Sequence, residues 1–220
     1  MIEAVIFDMD GLMFDSETVW LKSWEIALAQ KGLELDPRLF GMIAGANRES
    51  CLETVDELYG GDPLAIQAAE DHFRVANELF RAEGAPMKEG LCELLDYLES
   101  RNTPKAIASS SSDEIVSSCL LHANVQSRFP VVATGDLGLP SKPAPDLFLF
   151  AARALGVEAR STIVLEDSGN GIRAAHAGGF IPVWIPDIAP LCESDQALAQ
   201  YAFDSLLQVP GLVDQLNAGC

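Results

Sequence analysis

Near the start of the chain a four-residue apolar run, Ala4-Val5-Ile6-Phe7, stops abruptly at Asp8, Met9, Asp10 and Gly11. An unbroken apolar run with β-branched residues at its centre suits a strand buried on both faces, as in a parallel sheet covered by helices. In such a sheet, ligands collect at the carboxyl ends of the strands. Two carboxylates there repel one another unless a cation sits between them. An Asp-Gly pair also ends many strands as a plain turn, so both readings stand on this stretch by itself.

The rest of the chain separates the two. Asp15 or Ser16 caps a helix expected to run to about Lys31, with Trp20, Trp24 and Leu28 a turn apart on one face. Asp36-Pro37 opens a second helix, Asn47 caps a third to about Tyr59, and Asp62-Pro63 opens a longer one to about Arg81. No strand pattern falls between Ser16 and Gly84. Beyond Pro86 the rhythm alternates: helix over Glu89–Arg101, strand over Lys105–Ala108, helix over Ser112–Leu121, strand over Val131–Ala133. Helix Pro145–Leu155, strand Thr162–Leu165, helix Gly171–Ala177 and strand Pro182–Ile185 close the series. Alternation of this kind gives an α/β fold, a doubly wound, Rossmann-like parallel sheet. The expected domains are residues 1–15 with 86–220 as the core and 16–85 as an inserted, all-helical cap, hinged near Phe14–Ser16 and Gly84–Pro86.

Charge narrows the partners. The formal net charge of −19 argues against nucleic acid and anionic membrane, and an anionic substrate needs a local cation to overcome the field. The five cysteines share no metal-site spacing and read as reduced thiols of a cytoplasmic protein. No apolar run approaches a membrane span. A monomer or weak dimer is expected.

Three later stretches stand at strand ends as Asp8 does. Lys105–Ala108 leads into Ser109, the first of four serines, whose hydroxyl can donate to a phosphoryl oxygen or merely cap a polar loop. In Ser141-Lys142-Pro143-Ala144-Pro145-Asp146 a lysine stands before two prolines on a restricted backbone. In Leu165-Glu166-Asp167-Ser168-Gly169-Asn170-Gly171 two acids close a strand, and a helix cap accounts for Asp167 or Ser168 but not for Glu166.

Together with Asp8-Met9-Asp10-Gly11, these stretches resemble, in order, the four motifs of the haloacid dehalogenase-like superfamily of phosphotransferases. The resemblance implies an aspartyl-phosphate enzyme with Asp8 as nucleophile and Asp10 as general acid/base. It implies Ser109 and Lys142 as phosphate ligands, and a Mg2+ held by Asp8, the Asp10 backbone carbonyl, Asp167 and Glu166, the last directly or through water. A helical insertion after the first motif is similar to the subgroup of β-phosphoglucomutase and phosphoglycolate phosphatase. Gly45-Ala46-Asn47-Arg48-Glu49-Ser50 resembles a cap loop in which Arg48 would meet a distal phosphate. Where the mutase carries a histidine this chain has Trp20, so hydrolysis of a small phosphorylated metabolite, a sugar phosphate or a relative, is expected over a phosphoglucomutase. His72, His122 and His176 fall in helical stretches and are expected on the surface or internally satisfied. A receiver-like signalling module shares the acid, hydroxyl and lysine set but resembles about half this length and has no helical insertion.

Overall fold

The apolar runs become strands. Ala4–Phe7 forms β1, Lys105–Ala108 β2, Val131–Ala133 β3, Thr162–Glu166 β4, Ile181–Trp184 β5 and Tyr201–Ala202 β6. Every residue of β1, β2 and β4 is buried, which explains why they read as continuous rather than alternating apolar stretches. All neighbours in the sheet run parallel, in the order β3-β2-β1-β4-β5-β6. β1 therefore lies centrally, and the order reverses between β1 and β4. That reversal is the topological switch point, where the crossovers diverge to opposite faces and leave a crevice at the strands' carboxyl ends. The computed structural model describes residues 1–43, 48–188 and 190–218, with only the backbone of Phe40, Arg48 and Glu49.

The chain divides into two compact units, Met1–Asp15 with Pro86–Cys220, and Ser16–Ala85. The second unit is helical: α1 Ser16–Ala29, α2 Leu39–Ile43, α3 Arg48–Leu58 and α4 Pro63–Glu83. The Asp62 side chain caps α4 by accepting from the Leu64 amide at 2.8 Å, with Pro63 in the first turn. Trp24, Leu28, Ala65, Ala68, Ala69 and Val75 form its core. His72 is buried there, its ring stacked on Trp24 with centroids 3.9 Å apart and Nδ1–H donated to the Ala69 carbonyl at 2.7 Å.

The first unit adds α5 Leu91–Ser100, α6 Asp113–His122, α7 Asp146–Leu155, α8 Gly169–Ala177, α9 Glu193–Gln196 and α10 Val209–Ala218. Leu147, Phe148 and Ala151 of α7 pack on Ile6, Ala106, Ala108 and Val164 of the sheet. The alternation does not close at Ile185, as the sequence suggested: α9, β6 and α10 follow. β6 has only two residues, too few for a pattern, and α10 begins Val209-Pro210-Gly211, which reads as a loop although proline is tolerated in a first helical turn. Among the described residues no helix is long and apolar enough to cross a membrane.

Candidate active site

Asp8 follows β1 directly, and its amide continues the ladder to the Leu165 carbonyl at 3.0 Å. This register sets Asp8 beside Glu166, the last residue of β4, and Asp167 after it. Ser109 follows β2, its amide bonded to the Ala133 carbonyl at 3.0 Å. Lys142 does not end a strand, although the sequence suggested it would: a 3-10 turn, Gly135–Leu137, follows β3, and Lys142 stands just before α7, where the Lys142–Pro143 peptide is cis. Four segments distant in sequence thus deliver these groups to one edge of the sheet.

Lys142 joins them. Its ammonium donates to Asp8 Oδ1 and, at 2.7 Å, to Glu166 Oε1, with the side chain only 5% exposed and Nζ 4.6 Å above the Phe148 ring centroid. Glu166, fully buried, also accepts at Oε2 from the Ser168 amide at 2.8 Å and the Ser168 hydroxyl at 2.9 Å. Two glycines make room for the acids. A Cβ on Gly171 would stand 1.7 Å from Glu166 Oε1, and one on Gly11 would stand 2.4 Å from Asp167 Oδ2. Gly11 also has a φ of +77°, which favours glycine.

Asp10 belongs to a second network. Its Oδ2 accepts from the Ser111 hydroxyl at 2.7 Å and the Ser109 hydroxyl at 3.2 Å. Its Oδ1 is buried with no hydrogen-bond partner among the described residues.

Charge is unbalanced. Lys142 pairs with Asp8 and Glu166, while Asp10 and Asp167 add further carboxylate charge beside them. Burial above all pushes Asp8 well above the usual carboxylate range, and Glu166 and Asp10 add repulsion that Lys142 only partly offsets. Burial does the same to Asp167, with Glu166 and Asp8 adding to it. For Lys142 burial acts against the charge, but the two carboxylates outweigh it and hold the ammonium protonated. Asp8, Glu166 and Asp167 each offer an oxygen within 4.8 Å of the others. Hard oxygen donors gathered this closely with surplus negative charge fit a hard divalent cation. Glu166 is the exception within the set, because three donors already occupy its oxygens.

The structure therefore brings together Asp8, Asp10, Ser109, Lys142, Glu166 and Asp167. Arg48 opens α3, but its side chain, like residues 44–47, lies outside the described residues. Sequence reasoning missed Ser111 as the main partner of Asp10 and Ser168 as the holder of Glu166. Ser111 stands in the serine run already noted, but nothing in the run distinguishes it. Also missed was the ion pair of Lys88 with Asp187, whose Oδ2 lies 3.0 Å from the position of a Gly11 Cβ. Of the three histidines, His122 and His176 are exposed and His72 is buried and bonded.

Comparison with known proteins agrees with this geometry. Residues 2–179 match the family described as haloacid dehalogenase-like hydrolase. The plasmid-encoded protein CbbY of Cupriavidus necator is 31% identical over 209 residues, covering 84% of this chain and 78% of that protein. The fructose-1-phosphate phosphatase YqaB of Escherichia coli K12 is 30% identical over 179 residues, covering 80% of this chain and 93% of that one. The crystal structure of a β-phosphoglucomutase from Clostridium difficile matches with a TM-score of 0.74 at 23% identity, over 100% of this chain and 99% of that one, a likeness of fold.

Proposed function

The chain belongs to the haloacid dehalogenase-like hydrolases, and on that premise we propose a Mg2+-dependent phosphatase of small phosphomonoesters, sugar phosphates or related metabolites. The observation that carries the reading is Lys142 bridging Asp8 and Glu166 beside Asp167, at the switch point of the sheet. A nucleophilic carboxylate, a fixed ammonium and surplus acids for a cation are what attack on a phosphate dianion requires.

Asp8 attacks phosphorus in line, forming a carboxylate–phosphorus bond as the ester oxygen departs. Lys142 orients Asp8 through Oδ1 and offsets charge on the phosphoryl oxygens. Ser109 donates its hydroxyl proton to one of those oxygens. Asp10 gives its proton to the leaving alkoxide, then takes one from the water that releases phosphate from Asp8. Asp8, Asp167 and the Asp10 backbone carbonyl would hold Mg2+, with Glu166, already three times bonded, acting through water. When bound, the ion supplies neutralisation of the phosphoryl charge and of the crowded acids. Glu166 positions Lys142, and Ser168 positions Glu166.

Residues 1–15 and 86–220 are assigned as the catalytic core and 16–85 as the specificity-bearing cap, with Arg48 as a substrate ligand. The net charge of −19 disfavours nucleic-acid and anionic-membrane partners, and cysteines without metal-site spacing support a cytoplasmic enzyme, taken as monomeric or weakly dimeric. Transfer to a sugar hydroxyl, as in a mutase, is disfavoured at Trp20. Its indole donates but cannot accept a proton, and it packs edge-on against Phe73 and Phe80. The neighbouring His72 is buried and bonded, so it does not replace the mutase's histidine.

Phosphate release from p-nitrophenyl phosphate, then from a panel of phosphorylated sugars, with Mg2+ or EDTA, tests the proposal. Turnover lost in Asp8→Asn and in EDTA is the expected result. Turnover that survives Asp8→Asn, or a stable acyl-phosphate without turnover as in a signalling module, refutes it.

A further inference from the structure

The hold on Asp10 comes from two hydroxyls with different obligations. Ser111 Oγ lies 2.7 Å from Asp10 Oδ2, and Ser109 Oγ lies 3.2 Å from the same oxygen. A hydroxyl has one proton to donate. If Ser109 turns its proton to a phosphoryl oxygen, it leaves Asp10, and among these two donors only Ser111 still holds it. The Ser111 backbone is fixed independently of the substrate. Its amide donates to Ser109 Oγ at 3.0 Å, and its carbonyl accepts from the Gly135 amide at 2.8 Å. The loop after β3 approaches so closely that a Cβ on Gly135 would stand 2.3 Å from the Ser110 carbonyl oxygen.

We propose that Ser111 is a positioning residue for Asp10, tying down Oδ2 when Ser109 engages phosphate and reserving Oδ1 as the oxygen that exchanges protons. The inference rests on reading Asp10 as the acid/base. In the first step the Oδ1–H bond breaks and an alkoxide O–H bond forms while Asp8 takes the phosphoryl group. In the second step a water O–H bond breaks, Oδ1–H reforms, the remaining hydroxide oxygen bonds phosphorus and the Asp8–phosphorus bond breaks. Oδ1 is the oxygen left for the task because it accepts no other hydrogen bond among the described residues.

The test compares Ser111→Ala, Ser111→Thr and Asp10→Asn with the unaltered 220-residue chain in Mg2+. p-Nitrophenyl phosphate is used because its leaving group needs no protonation, and inhibition by inorganic phosphate is measured alongside. A charge-assisted hydrogen bond sets the scale, so Ser111→Ala should lower steady-state turnover about ten- to a hundredfold. The rapid first release of p-nitrophenolate and the inhibition constant for phosphate should stay the same. Ser111→Thr keeps the hydroxyl and should restore turnover to within about threefold of the original. Phosphate inhibition that weakens in step with turnover in Ser111→Ala would make Ser111 a phosphate ligand and overturn the proposal. Unchanged turnover in Ser111→Ala beside a slow Asp10→Asn would overturn it too, while leaving the acid/base reading intact. Normal turnover in Asp10→Asn would instead defeat that reading itself.

Discussion

Replacing Gly171 by alanine pits two effects of opposite sign against each other. In a helix, glycine is about 0.5–1 kcal/mol less favourable than alanine. Gly171 lies in the first turn of α8 without a positive φ, so backbone preference by itself predicts a slightly more stable protein. The site predicts the reverse. The new Cβ would stand 1.7 Å from Glu166 Oε1, 1.8 Å from its Cδ and 2.4 Å from Oε2. A side chain that ends in solvent moves aside easily. Glu166 is fully buried, and moving it breaks bonds to Lys142 Nζ at 2.7 Å and to the Ser168 amide and hydroxyl at 2.8 and 2.9 Å. Bonds to a charged group are each worth about 1.5–3 kcal/mol, and breaking a buried ion pair costs about 3–5 kcal/mol. These overlap rather than add, so with the backbone gain subtracted the variant should lose about 2–4 kcal/mol. For a chain of this size that is a fall of about 5–15 °C in Tm, read by circular dichroism. Lys142 would lose one of its two carboxylates, and kcat/KM on p-nitrophenyl phosphate should fall about a hundredfold, near 3 kcal/mol of barrier. A variant as stable as the original, or more so, refutes the placement of Glu166 against α8.

His72 should make the helical unit acid-sensitive. Burial lowers its pKa from 6.5 to about 4, so between those values the unfolded chain binds the extra proton. Its contribution is full above pH 6.5 and lost as pH falls toward 4, about 3 kcal/mol in all. Tryptophan fluorescence during urea unfolding of a Trp184→Phe variant, which leaves only Trp20 and Trp24, reads this, and a His72→Leu change that keeps the same pH slope argues against it. Asp8→Asn should form no phosphoenzyme, whereas Asp10→Asn should form it and release phosphate slowly with Mg2+ affinity largely kept. Equal loss of Mg2+ binding in both, by calorimetry, contradicts that division. Because Asp8 and Asp167 are raised above 3.8 without a cation, their charged forms oppose folding, and in EDTA the core should lose stability as pH climbs above the ordinary carboxylate range. Mg2+ should therefore raise Tm more at pH 7.5 than at pH 5, and equal shifts would refute the cation's place among these acids.

What the sequence determined by itself is local. β1, β2 and β4 were legible because strands buried on both faces carry an unbroken apolar centre, and Asp62-Pro63 announced α4 because caps act within one turn. The acids, the serine and the lysine stood out where an apolar run ends or a proline stiffens the chain, but their roles came only from the resemblance of those stretches, in order, to a known family's motifs. Tertiary structure decided the rest. Ser111 reaches Asp10 across 101 positions, and Lys88 reaches Asp187 across 99. Nothing local marks Gly171 as special; only the approach of β4 to α8 shows that Glu166 fills the place of its missing side chain. Side-chain periodicity records which way a residue faces along its own element. Which groups share a proton or a charge depends on strand order and close approach, and no local pattern encodes those.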